Sequence, residues 1–486
     1  MIRAFPLAAL TCALLAAFPA HAADPNTALL KELKALKARV AELEKKQATQ
    51  DAALAAAPAA PAVVAATPAP VPTPAPVARG MTEEQQQEFN RIAVKTEALE
   101  DARDMAGLKG LKVAGYMDPT WVFNQRRHSS GAQFLNSVDQ SGYYYDTSYI
   151  GTVALDFVKE TDSGARWHLT LVPQRSTQAV SEGSSSPVQE ASVSIPITDL
   201  QTRFIAGHLP DWSGYEMLQP TLNKLVTHNL LFDMTLPASY TGAGMELTRD
   251  KWIIKALVGN MAASKRNANE KTPVFAYRVD YAKGEFQGFG FAGIHGRARN
   301  YTQNVLDGSG EVVDQPDSMV DTFEADAYFI RGPLTLQGQV AWGRQRKASI
   351  TPAADGSLRD ASWTGLSGLF AYKLEPWLEG VVRVDHIFNS RNGGGLLTYA
   401  SADPYNGIGP AMAYDAGSGG WVADNPDKGV SRTALTLGMN YNYNLNTLFK
   451  LEYRLDSASG RVFLDEKNGS YNKTNQLVSS AVVVSF

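Results

Sequence analysis

The sequence predicts an all-β fold, a transmembrane antiparallel β-barrel of about sixteen strands preceded by a short periplasmic coiled coil. Three observations carry that prediction. From Lys109 onward apolar and polar residues alternate with period two, the turns between the alternating runs fall into two length classes, and no stretch after the N-terminus reaches an apolar run long enough for a spanning helix. Such a helix needs roughly 18 apolar residues, whereas strands of a membrane barrel alternate and leave a much weaker hydropathy signal. Across 486 residues, 45 Lys+Arg stand against 49 Asp+Glu, for a net charge of −4. That balance gives no electrostatic footprint for nucleic acid. Charged residues make up 19% of the chain, below the ~25% of soluble domains.

The N-terminus sets the compartment. Met1-Ile2-Arg3 is a short basic region, Leu7–Phe18 is apolar, and Ala20-His21-Ala22 offers an A-x-A cleavage site. Residues 1–22 therefore read as a signal peptide. The one cysteine, Cys12, lies within it, so the mature chain has no disulfide and no thiolate chemistry. Over 23–50 the apolar positions Leu29, Leu33, Leu36, Val40 and Leu43 repeat with spacings of 4 and 3, with Lys and Glu outside them. That is a heptad seam. So short a coiled coil is marginal alone and expects an oligomeric barrel to hold its helices together. Residues 51–80 carry seven prolines from Pro58 to Pro76 among Ala, Val and Thr, a semi-extended spacer that cannot continue a helix. Over 81–107, Thr82-Glu83-Glu84-Gln85 opens a short periplasmic helix with a capping box, and the barrel occupies 108–486.

Within the barrel, Trp252-Ile253-Ile254-Lys255-Ala256-Leu257-Val258 places Trp, Ile, Ala and Val on one face and Lys255 on the other. Leu435, Leu437, Met439 and Tyr441 oppose Thr436 and Asn440, and Phe449, Leu451 and Tyr453 alternate with Lys450, Glu452 and Arg454. Charges deep in strands whose other face ends in aromatics suit a wet lumen and a lipid-facing band. Tight turns fall near residues 161–164, 198–199, 249–251, 283–285, 331–333, 375–376 and 444–446, and long polar loops near 124–146, 174–188, 207–240, 260–272, 299–320, 343–361, 389–430 and 456–474. Seven short turns and eight long loops join sixteen strands, a size that leaves an aqueous channel. The last strand ends on Phe486, and in this it resembles bacterial barrels, whose assembly machinery reads such a terminal Phe.

Parity assigns the inward charges. Arg166, His168, Arg203, Lys255, Arg278, Arg383, Lys450 and Arg454 face the lumen, with Asp280, Asp385 and Glu452 among the inward acids. They either orient solutes across the pore or pair with neighbours along the wall. Loop 208–240 contains Trp212, Tyr215, Leu222, Leu225, Leu230, Leu231, Phe232 and Leu236, too apolar to be left in water. It follows the fifth strand and is expected to fold into the channel, bringing Lys224, His228 and Asp233 to a constriction; the competing reading packs it at a subunit interface. Gly288–Gly293 matches G-x-G-x-x-G, but it lies inside a strand with no helix after it, so a nucleotide site is not expected. Asp424-Asn425-Pro426-Asp427 reads as turn chemistry before it reads as a calcium site. No nucleophile, base and orienter stand at a recognisable spacing, and no catalytic residue, metal or cofactor is assigned.

These features together resemble the proteobacterial β-barrel porins and, in plan, the DcaP-like dicarboxylate channels. The heptad at Leu29–Leu43, the strand opening Lys112-Val113-Ala114-Gly115-Tyr116, the run Leu225–Phe232, the segment Tyr240–Gly244 and the closing strand to Phe486 carry the resemblance. It implies a homotrimeric, cofactor-free porin of a Gram-negative outer membrane, set among outer-membrane lipid and lipopolysaccharide, with the coiled coil assisting assembly or reaching peptidoglycan. It also implies passive passage of small hydrophilic solutes, with carboxylates and other anions as the class suggested by the dicarboxylate channels. The alternatives are an outer-membrane enzyme and a structural, peptidoglycan-anchoring barrel that does not conduct.

Overall fold

The computed structural model describes residues 88, 90–98, 104, 107–135, 150–172, 187–261, 273–303, 305–306, 312–314, 316–353, 355–399 and 401–486. The signal peptide, coiled coil and spacer lie outside the described residues. Of the helix expected over 81–107, residues 90–98 are helical.

One antiparallel sheet closes on itself. Two of its strands are interrupted: β1 runs Leu111–Met117 and Thr120–Asn124, and β2 runs Ser129–Gln133 and Val153–Glu160. There follow β3 (Arg166–Leu171), β4 (Val188–Asp199), β5 (Thr202–Pro210), β6 (Ser239–Arg249), β7 (Trp252–Met261) and β8 (Val274–Ala282). The second half contains β9 (Gln287–Arg299), β10 (Asp317–Arg331), β11 (Leu334–Gln345), β12 (Ala361–Glu375), β13 (Leu378–Phe388), β14 (Arg432–Asn442), β15 (Thr447–Ala458) and β16 (Thr474–Ser485). Each pairs with its sequence neighbour, and β16 returns to β1 through Tyr116↔Ser485 and Thr120↔Ala481, giving sixteen staves. Gly115 and Phe486 finish the seam by exchanging backbone hydrogen bonds of 3.3 and 3.1 Å. Closure on itself lets strand after strand satisfy its ladder groups from both neighbours.

The seven tight turns stand where the sequence placed them. The first long loop does not. Residues 125–128 form a tight hairpin between β1 and β2, and the two parts of β2 end at Gln133 and resume at Val153. The cause is local. Asp118 breaks β1 ahead of Pro119, which has no N–H to give, and the Asp118 carboxylate takes the backbone N–H groups of Gly151 and Thr152 at 3.2 and 2.6 Å where β2 resumes.

Over the middle of the strands and beside the tight turns the outer face presents large apolar side chains, among them Trp167, Ile195, Phe204, Phe323, Trp342 and Phe370. Trp252, Tyr281 and Phe289 contact one another beside the tight turns, as do Trp377, Tyr441, Phe449 and Tyr443 farther round. That is an aromatic girdle. The inner face carries the buried core. A short helix, Leu230–Thr235, within the long loop after β5 packs Leu230, Leu231 and Met234 with Leu257, Ile294, Trp363, Leu396 and Leu397. Among the described residues no helix is long and apolar enough to cross a membrane.

Candidate functional site: the lumen and its inward loop

The loop joining β5 to β6 lies against the inner wall of β11–β15. An apolar loop in a polar lumen must bury both its side chains and its backbone, and the wall is built for each. For the side chains, glycines make room: a Cβ at Gly365 would stand 3.0 Å from the Leu231 side chain, and one at Gly438 would overlap Leu225. Leu225 is thereby seated against Leu369 and Val381.

The backbone is read by charged wall residues. Lys450 donates to the carbonyls of Pro220, Asn223 and Leu225 at 2.7, 2.7 and 3.2 Å. Arg383 donates to the carbonyls of Thr227 and His228, each at 2.8 Å, and Arg454 reaches the His228 carbonyl at 2.9 Å. The Glu452 carboxylate accepts the N–H groups of Val226 and Thr227 and the Thr227 hydroxyl. Five loop carbonyls and two loop N–H groups are thus satisfied by three cations and one carboxylate. This meets the demand that buried backbone groups be paired. The loop answers with charges of its own: Glu216 accepts from Arg383 at 2.7 Å and Lys224 donates to Glu379 at 2.7 Å. Asn229 caps the helix, its side-chain oxygen taking the Phe232 N–H at 2.8 Å.

The inward residues named from sequence sort into three groups. Lys224, His228, Arg383, Asp385 and Arg454 meet at the loop seat. Arg383, Asp385 and Arg454 are each 0% exposed, and Asp385 accepts from Arg383 at 3.1 Å and from the Ser367 hydroxyl at 2.7 Å. The His228 ring stacks on Phe232 with centroids 4.1 Å apart, and its Nε2 lies 2.9 Å from the Met217 carbonyl. Asp233 sits in the loop helix, where its carbonyl accepts the Tyr399 hydroxyl at 3.4 Å. A second group lies on β6–β10. Lys255 pairs with Glu246 at 3.2 Å and stands 6.0 Å over Trp212. Arg278 forks between Asp280 and Asp326, at 2.8 Å to each. It crosses β9 over Gly290, where a Cβ would come within 2.6 Å of both Arg278 and Asp280. That contact explains a glycine of the nucleotide-like run. The third group is at the tight turns: Arg166 lies 3.6 Å from Glu160, and Arg203 donates to Ser194 and to the Gly164 carbonyl.

The sequence reading assigns the strand residues among these to the inner face by parity. It differs in their surroundings: Arg383 and Arg454 lie behind the loop instead of facing open lumen, and Arg203 buttresses two turns. The sequence reading places Lys450 and Glu452 on the inward face but not at the loop, and does not single out Glu216. The signal that could have found them is four charges at alternate positions, Lys450 to Asp456, opposite a loop too apolar for water. The segment Asp424–Asp427 is a turn, with Asn425 accepting the Asp427 N–H at 2.9 Å and Asp427 paired to Arg359.

The result is a closed sixteen-stranded barrel with a charged inside and a loop after β5 folded onto the inner wall. The chain belongs to the family described as "Protein of unknown function (DUF3138)", whose profile matches residues 5–486. Among solved structures it is similar to the outer membrane channel DcaP of Acinetobacter baumannii, at 10% identity over 77% of this chain and 97% of that one, with a TM-score of 0.46. It is similar also to an anion-selective porin from Comamonas acidovorans (9% identity, 77% and 99% covered, TM-score 0.46) and to OmpT, an outer membrane protein of Vibrio cholerae (10%, 77% and 97%, 0.46). No curated protein matches the sequence.

Proposed function

We propose that this protein is an outer-membrane porin through which small hydrophilic solutes diffuse passively, as a homotrimer and without a cofactor. The observation that carries the reading is the wall-anchored loop. A barrel of this circumference leaves a water-filled lumen, and a loop tied to one side of it narrows that lumen and sets what passes. Lys224, Lys255, Arg278 and Asp280 then line the path, with Arg166 and Arg203 toward the tight-turn mouth. Carboxylates are the solute class implied by the resemblance to dicarboxylate channels. Total charge does not favour them, and each of the arginines at 278, 383 and 454 already has a carboxylate beside it. Lipopolysaccharide and lipid surround the barrel, and the N-terminal coiled coil assists trimer assembly or reaches peptidoglycan.

The test is single-channel recording of the refolded protein in planar bilayers with a salt gradient. Three equal closing steps are expected, and the reversal potential gives the ion preference. A folded barrel that never conducts overturns the reading in favour of a plugged transporter, an enzyme or a structural anchor.

A further inference from the structure

The inward charges sum differently in the loop seat and in the open lumen. Behind the loop, Arg383 with Glu216 and Asp385 leaves one negative charge, and Asp456 with Arg432 and Arg454 leaves one positive charge. Lys450 and Glu452, both spent on the loop backbone, cancel, so the sealed seat is neutral. Facing the lumen, Lys255–Glu246 and Lys224–Glu379 also cancel as pairs. Two groups do not. Arg278 stands between Asp280 and Asp326. On β3, His168 stands between Asp156 of β2 and Glu190 of β4, its Nε2 2.7 Å from one carboxylate and its Nδ1 2.9 Å from the other. An imidazole that donates from both nitrogens is an imidazolium, so each group is one cation held by two carboxylates. The other inward cations, Lys112, Arg166, Arg203 and Lys373, belong to the tight-turn ends of their strands, with Arg166 beside Glu160. The remaining carboxylates, Asp118, Asp211, Asp233 and Glu324, add nothing to the positive side. Above its tight-turn mouth the lumen is therefore negative.

The His168 group leaves part of its charge unspent. Asp156 Oδ1 takes both His168 and the Thr170 hydroxyl, and Glu190 Oε1 takes both His168 and the Ser192 hydroxyl. The second oxygen of each carboxylate has no partner among the described residues, and both side chains are partly exposed. In a ring of sixteen staves, β3 lies across the lumen from the loop seat on β11–β15, and the loop exposes Met217 and Leu222. We propose that this pore passes cations in preference to anions, that Asp156 and Glu190 set the preference, and that its organic solutes are small amines with an apolar body. The proposal rests on the porin reading above and names its solute class, opposite in charge to the carboxylates that the resemblance implies. Carboxylates lining a pore select for cations, and a lumen walled by low-dielectric protein focuses their field on what passes. His168 fixes the two carboxylates in place and leaves an oxygen of each to meet an ammonium, while Met217 and Leu222 offer a surface to the hydrocarbon part. An ammonium fits better than a resident metal ion, since no group of His, Asp and Glu among the described residues has the arrangement of a metal centre.

The test measures reversal potentials of the full-length protein in planar bilayers. The first series uses a potassium chloride gradient, and the second replaces potassium by butylammonium or chloride by butyrate. The wild type is expected to favour potassium over chloride by about threefold or more and to carry butylammonium better than butyrate. Asp156→Asn/Glu190→Gln should lower the cation/anion ratio by about threefold. His168→Gln keeps both carboxylates, removes the cation between them and should raise the ratio. Loosened packing would move both variants the same way, so opposite shifts identify charge as the cause. A wild type that prefers chloride or butyrate, a double variant with an unchanged ratio, or a fall in His168→Gln overturns the proposal and leaves the porin reading standing. A folded barrel that never conducts refutes the porin reading, and the proposal falls with it.

Discussion

Replacing Arg383 by methionine tests how the loop is held. The guanidinium is wholly buried and touches two carboxylates, Glu216 of the loop and Asp385 of its own strand, besides two loop carbonyls. Methionine keeps most of the volume and removes the charge. The His228 carbonyl keeps Arg454 as a donor, but Glu216 and Asp385 are left buried without their cation. Removing one partner of a buried ion pair costs about 3–5 kcal/mol. At 1.4 kcal/mol per tenfold, the ratio of docked to released loop falls between about a hundredfold and a few thousandfold. The barrel ladders do not involve this side chain, so the loss appears as loop release. Single-channel traces should become noisy and step to higher conductance, and the Lys224–Thr227 segment should become cleavable by protease in the folded barrel. Adding Glu216→Gln and Asp385→Asn to the variant removes the stranded charges and should restore most of the quiet state. Wild-type noise and protease resistance in Arg383→Met, or no recovery in the triple variant, would refute the reasoning.

Gly438→Val drives a branched side chain into the space of Leu225; overpacking of this kind costs about 1–3 kcal/mol, and conductance should rise while the detergent-resistant barrel persists. At the root of the loop, burial pushes the Asp211 carboxyl up to about 6, against hydrogen bonds from Tyr240 and Ser213 that pull it down. Its folded pKa stands above its unfolded value, so its contribution to stability is full below about pH 4 and is lost as pH rises through about 6. Melting temperature should fall over that interval, and Asp211→Asn should flatten the fall. Deleting Phe486 removes the ring that covers Gly115 and two of the bonds that join β1 to the end of the chain; the amount of folded barrel recovered from membranes should drop severalfold, read by heat-modifiable migration on gels.

The sequence made the barrel legible because lipid outside and water inside impose opposite chemistry on successive residues. Trp252–Val258 or Phe449–Arg454 admits one register only, and a shift of one residue would put Lys255 or Arg454 in lipid. The first loop was misplaced because nothing in residues 124–133 alternates between apolar and polar. Ser129–Gln133 is small and polar throughout, and its strand is recognisable only from its partner Thr120–Asn124. The inward path of the loop was legible from its apolar side chains. Its anchors were not, because parity reports which face a charge occupies and is silent on what covers it. Arg383 and Lys255 look alike in sequence, yet one is sealed under Thr227 and His228 and the other stands beside Glu246.

The anchoring also orders assembly in time. The loop is made early in the chain, before β6, but the groups that hold it lie on β13 and β15, separated from it by about 155 to 230 residues. Until those strands have entered the sheet, Leu225 lacks the Val381 side of its seat and the carbonyls of Pro220, Asn223, Leu225, Thr227 and His228 lack their wall donors. A chain truncated before Lys450 therefore carries an exposed sticky segment, and a complete one hides it. Burial of this loop marks a finished barrel, and any quality-control factor that binds unpaired apolar segments would release the protein at that moment.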